Sequence, residues 1–87
     1  MDLKFDYEVL LDFKISGITK EIAKNVCNSF TLRNLPDYFV EDKNVLFMEL
    51  LNCEGVTKEI AEELVIFVGM NMDELRHTNY KEVEYIG

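Results

Sequence analysis

The sequence predicts an all-helical single domain built from two similar helix, turn, helix units, and three observations predict it. The chain repeats itself at a spacing of 38 residues. Each copy carries an apolar stripe at helical spacing behind a threonine. Helix breakers are scarce, with one proline and four glycines in 87 residues.

The repeat is strongest where Gly17-Ile18-Thr19-Lys20-Glu21-Ile22-Ala23 aligns with Gly55-Val56-Thr57-Lys58-Glu59-Ile60-Ala61, six of the seven differing in no residue. The register extends outward, pairing Val9 with Phe47, Leu10 with Met48, Phe13 with Leu51, Val26 with Leu64 and Leu32 with Met70. Apolar meets apolar at each pair, the pattern of two units that present equivalent faces to one core.

The elements follow in chain order. Tyr7 to Phe13 is expected to be helical by repeat logic, although Leu3, Phe5, Tyr7 and Val9 alternate like a strand. Val83 and Tyr85 alternate too, so a short β pairing of the termini is an alternative for the ends. Gly17 punctuates the first turn, and Thr19 caps a helix through about Phe30 with Ile22, Ala23, Val26, Cys27 and Phe30 inward. Residues 31–43, with Pro36, Tyr38 and Phe39, read as a connector with room for one short helix. Val45, Phe47, Met48, Leu50 and Leu51 give the apolar face of the next helix, which ends near Asn52. Gly55 then marks the second turn. Thr57 caps the last assigned helix, with Glu59 in its first turn favoured by the helix dipole and Ile60, Ala61, Leu64, Val65 and Val68 inward. The hairpin units thus span about residues 7–30 and 44–68, and the tail beyond is unassigned.

Composition narrows the function classes. Nine basic and 17 acidic residues give a net charge of −8, which repels nucleic acid and anionic membranes at long range. Any contact with DNA must therefore rest on local geometry. The longest apolar run, Leu64 to Val68, is far too short for a membrane span, and the start Met1-Asp2-Leu3-Lys4 is no signal peptide, so a cytoplasmic, reducing location is expected. Cys27 and Cys53 form no Cys-x-x-Cys pair and both fall on apolar positions of the repeat, so buried thiols are expected rather than a metal site. His77 has no catalytic partner in sequence and reads as an exposed residue near a helix end. Phe47, Met48, Phe67, Met70 and Met72 read as packing residues, and no cofactor is expected. Phosphate-cradling Gly-x-x-x-x-Gly-Lys and Gly-x-Ser-x-Gly patterns are both lacking.

Gly17, Ile18, Ala23 and Val26, and again Gly55, Val56, Ala61 and Leu64, match the spacing of a helix-hairpin-helix motif. Over residues 9 to 68 the chain resembles the tandem helix-hairpin-helix region of NAD-dependent DNA ligases. Asn28-Ser29-Phe30, the Leu32 to Leu35 connector, Glu49 to Gly55 and Val65-Ile66-Phe67 follow in that family's order. The departure is at the second glycine of each hairpin, which is Thr19 or Thr57 here. The resemblance implies sequence-nonspecific binding of duplex DNA, with backbone amides of the hairpins facing phosphates. Its implied contacts are Gly17, Thr19, Lys20 and Glu21 on one strand, with Lys20 adding charge, and Gly55, Thr57, Lys58 and Glu59 on the other.

Two explanations of the turns stand at this point: amides presented to phosphate, or simply well-capped helix joints. The charge favours the first hairpin as the DNA contact, because Lys14, Lys20 and Lys24 surround it while Glu54, Glu59, Glu62 and Glu63 oppose a lone Lys58 at the second. The chain lacks the family's Lys-x-Asp-Gly motif and has too few cysteines for its four-cysteine zinc finger, so no self-contained active site is expected. A catalytic ligase domain or subunit is the implied partner. The alternative function is an acidic protein-interaction module whose hairpins serve packing alone.

Overall fold

A computed structural model describes residues 3–81, all of whose regular structure is helical. Five helices follow one another: α1 (Asp6–Asp12), α2 (Lys20–Ser29), α3 (Leu35–Leu51), α4 (Lys58–Met70) and α5 (Met72–His77). Helix α1 packs on α2, α3 packs on α4, and α5 closes against α3 and α4.

Local chemistry explains each boundary. In α1 the Glu8 carboxylate accepts a hydrogen bond from the Phe5 N–H at 3.0 Å, satisfying one donor of the helix start. Beyond it, Lys14 adopts a positive φ of 55°, the left-handed conformation that ends many helices. Thr19 and Thr57 cap α2 and α4 as expected, each hydroxyl accepting from the N–H three residues on, Ile22 or Ile60, at 3.3 Å. Asn34 and Pro36 open α3, where a proline in the first turn removes no helical bond.

Helix α3 is in fact two helices joined at a kink, because Asp42 is extended (φ −166°, ψ 104°). Its carboxylate accepts from the N–H groups of Asn44 at 2.9 Å and Val45 at 3.4 Å, so it restarts the helix as a cap. The connector is therefore mostly helical, and the second unit begins at this kink rather than after an irregular segment. Residues 43–51 then correspond by repeat to α1, and α4 corresponds to α2.

The shared core contains Leu10, Ala23, Val26, Leu46, Leu50, Ala61, Leu64 and Val68, all essentially inaccessible, joined by Leu32 and Leu35 of the connector and Leu75 of α5. Each fully buried leucine of this kind stabilises the fold by about 1.5–3 kcal/mol. Both cysteines are free and buried, as their repeat positions imply. Burial, with smaller contributions from Asp6 and Cys53, pushes the Cys27 thiol far above its ordinary range.

The repeat does not extend to every expected core position. Ala23 and Ala61, Val26 and Leu64, and Phe30 and Val68 are buried in both units. Yet Leu10 and Leu32 are fully buried, whereas Met48 is 61% exposed and Met70 79% exposed. Val45 is exposed as well, and Leu46 takes its place in the core. The reason is that the first helices of the two units bury different flanks. Val9 and Phe47, and Phe13 and Leu51, are half-buried in both, but α1 turns Asp6 and Leu10 inward while α3 turns Leu46 and Leu50 inward.

Among the described residues the termini pair through one parallel bridge, Phe5 with Lys81, made by Asp6 N–H to the Lys81 carbonyl at 3.2 Å and Lys81 N–H to the Lys4 carbonyl at 2.8 Å. Val83 and Tyr85, expected as its continuation, lie outside the described residues. No helix among the described residues is long and apolar enough to cross a membrane.

Candidate functional site

Two contacts bring the turns together. Gly17 has φ +84° and Gly55 has φ +87°, a conformation that other residues adopt only under strain. A Cβ on Gly17 would lie 3.1 Å from Cγ1 of Ile60, and a Cβ on Gly55 would lie 3.1 Å from Cγ1 of Ile22. These pairs exchange under the 38-residue shift. Each turn therefore sits against the first helical turn of the other unit, and the starts of α2 and α4 lie side by side.

Four backbone donors at each helix start have no partner within the helix, and the threonine caps take up only one of them. The N–H groups of Lys20 and Glu21, and of Lys58 and Glu59, make no hydrogen bond among the described residues, and all four residues are exposed. The aligned peptide dipoles add a partial positive charge there, which favours an anion. Thr19 and Thr57 use a hydroxyl lone pair for capping, which leaves the hydroxyl proton to donate outward.

Between the hairpins runs an open groove of about 530 Å³, lined by Thr19, Glu21, Ile22, Lys24 and Asn25 of the first unit with Glu54 and Gly55 of the second. Of the residues expected to contact DNA, Thr19, Glu21, Lys24 and Gly55 meet in this groove. Gly17, Lys20, Thr57, Lys58 and Glu59 do not line it and lie on exposed positions. The Lys24 ammonium lies 5.0 Å from the centre of the Tyr7 ring, so its aliphatic stem is steered back over α1 rather than held fully in solvent. Lys20, the first residue of α2, is exposed. Among the described residues that line the groove, Glu21 and Glu54 stand against Lys24.

Asn25 is a structural residue that the spacing did not bring forward. Its side-chain amide donates to the Glu54 carbonyl at 2.9 Å and ties α2 to the second turn. By repeat, its counterpart is Glu63, which cannot donate when ionised. The signal was present as the mismatch of Asn25 with Glu63 at one register position. Replacing Asn25 with alanine is expected to lower stability by about 1 kcal/mol. Glu63→Ala is expected to change it by less than about 0.5 kcal/mol, both read from urea unfolding midpoints. Equal losses would show that the bond does not distinguish the two turns.

The remaining candidates do not gather into a site. Imidazole Nε2 of His77 lies 4.0 Å from the Asp73 carboxylate at the exposed end of α5. Among the described residues, no three His, Cys, Asp or Glu side chains are grouped so as to hold a metal ion. No family model, curated protein or solved structure matches the chain.

Proposed function

We propose that the chain is a tandem helix-hairpin-helix module that holds duplex DNA by its backbone without reading sequence. The observation that carries this reading is the reciprocal seating of the two turns, which sets two exposed, unbonded helix starts side by side. Two anion sites in that arrangement suit the paired phosphates of a double helix better than they suit an isolated ion. Contacts to the first strand come from Gly17, Thr19, Lys20 and Glu21, with Lys24 and Lys14 adding charge. Gly55, Thr57, Lys58 and Glu59 serve the other strand more weakly, because Glu54, Glu62 and Glu63 surround them. Nicked duplex within a DNA ligase or repair assembly is the substrate that the ligase resemblance suggests, and the nucleotidyl transfer belongs to a partner domain or subunit.

Salt dependence tests the reading. If Lys14, Lys20 and Lys24 each neutralise one phosphate, affinity for duplex falls about 40-fold between roughly 50 and 200 mM salt. Fluorescence anisotropy with labelled nicked and intact duplexes measures it. Failure of both duplexes to bind at low salt would overturn the proposal and favour the acidic protein-interaction module.

A further inference from the structure

We propose that the outward face of α3 around Tyr38 docks an arginine-bearing segment of a partner protein. The proposal does not depend on the hairpins binding DNA, and this face shares no lining residue with the groove between them. Two adjoining hollows form it. One, of about 450 Å³, is lined by Tyr38, Glu41, Asp42, Val45 and Glu49. The other, of about 260 Å³, shares Tyr38 and Glu41 and adds Asn34 and Asp37. These positions recur every three or four residues, across the kink at Asp42, and all of them are exposed.

Charge is the first observation that selects the occupant. The carboxylates of Asp37, Glu41, Asp42 and Glu49 line the two hollows, and among the described residues no lysine or arginine does. The cations close by in sequence are engaged elsewhere. Arg33 donates to the Thr78 carbonyl at 3.1 Å, and Lys43 lines a separate groove with Glu62, Val65 and Ile66 of α4. Arg76 reaches only the Asp37 end, 3.5 Å from its carboxylate, in an exposed pair that contributes little. Capping of the second half of α3 occupies Oδ1 of Asp42 alone. A second copy of the chain brings a net charge of −8, and a nucleic acid brings phosphates, so like charge opposes both.

The ring is the second observation, independent of the first. Of the three tyrosines among the described residues, Tyr7 has the Lys24 ammonium 5.0 Å from its centre and Tyr80 has the Arg33 guanidinium at 4.5 Å. Tyr38 is 38% exposed and set edge-to-face against buried Phe30 at 5.2 Å, with no cation of the described residues over it. A fixed, accessible ring between carboxylates suits a guanidinium, whose plane stacks on the ring while its forked N–H groups pair with the acids. An ammonium, a compact point charge, meets the two less well together. The stripe from Asp37 to Glu49 covers about three turns of helix, so a segment with several arginines matches it better than a single free cation.

The probe is a fluorescein-labelled peptide of about 10 residues alternating arginine with serine, long enough to cover the stripe when extended. One sibling carries lysine for each arginine and another carries neutral citrulline. Anisotropy at low salt is expected to show one-to-one binding of the arginine peptide, at least about threefold weaker binding of the lysine peptide, and none of the citrulline peptide. Tyr38→Ala, and Glu41→Lys combined with Glu49→Lys, are each expected to weaken binding at least about tenfold. Glu62→Lys combined with Glu63→Lys makes the same change of charge on exposed positions of α4 and is expected to cost less than about threefold. Tyr38→Phe, which keeps the ring, stays within about threefold of the wild type. Thermal melts establish that the variants fold, and Glu41→Gln with Glu49→Gln repeats the test if the lysine pair does not. Equal affinity among the three peptides, or wild-type affinity in the folded Tyr38→Ala or Glu41 and Glu49 variants, would overturn the proposal. So would equal losses for the two charge-reversed pairs, which reduces the effect to net charge, or loss of duplex binding by Tyr38→Ala, which assigns the face to nucleic acid.

Discussion

Gly55→Val is expected to destabilise the fold by about 3 kcal/mol, and Gly17→Val by a similar amount. Two separate costs add. A β-branched residue at φ +87° is strained whatever space surrounds it, and its Cβ would stand 3.1 Å from Cγ1 of Ile22 before the valine methyls are placed. Alanine at the same position carries the backbone cost and less crowding, so its effect is smaller. Pairing Gly55→Val with Ile22→Ala relieves the crowding but not the backbone strain, which separates the two contributions in a double-mutant cycle. Urea unfolding measures each variant. For a domain whose total stability is of the order of 5–15 kcal/mol, a loss of this size moves the midpoint far. A change within about 0.5 kcal/mol, as for an ordinary surface substitution, would refute the reciprocal seating.

Lys20→Glu combined with Lys24→Glu is expected to weaken duplex binding at least about tenfold at 0.1 M salt, and Lys58→Glu less than about threefold. Lys20 is the first residue of α2, where a glutamate suits the helix dipole, so that substitution does not act by unfolding the helix. Lys24→Glu also removes the ammonium from the Tyr7 ring and adds a carboxylate beside Glu21 and Glu54. The melting temperature of the double variant therefore accompanies its affinity. Lys20→Glu alone, which keeps the Tyr7 contact, is expected to retain at least part of the effect. Equal losses for the two hairpins would count against the asymmetry, and no loss at either would remove these lysines from the interface.

The helical class and the two turns were legible because local chemistry decides them. A threonine three residues before a free N–H, and a glycine two residues earlier, set Thr19 and Thr57 as caps and Gly17 and Gly55 as turns wherever the rest of the chain packs. The core of α2 and α4 was legible for a similar reason, since Ala23, Val26, Ala61, Leu64 and Val68 follow one helical stripe. The first helix of the second unit was not. Val45, Leu46, Phe47, Met48, Leu50 and Leu51 are apolar nearly all round, so periodicity cannot say which flank faces inward, and that choice came from how α3 and α5 pack. The kink is hidden as well, because Asp42 falls in the connector by spacing although its carboxylate caps the helix that follows. At the candidate site the contact residues could be named from spacing and resemblance, but Asn25, Glu54 and the reach of Ile22 and Ile60 across to the opposite turns required the three-dimensional arrangement.

The seating of Gly17 against Ile60 and of Gly55 against Ile22 also governs how the molecule comes apart. Each contact joins segments distant along the chain, so neither half can open at its turn without withdrawing support from the other. Heat or denaturant therefore abolishes both helix starts in one cooperative step, and no half-melted form retains a single turn in its native seat.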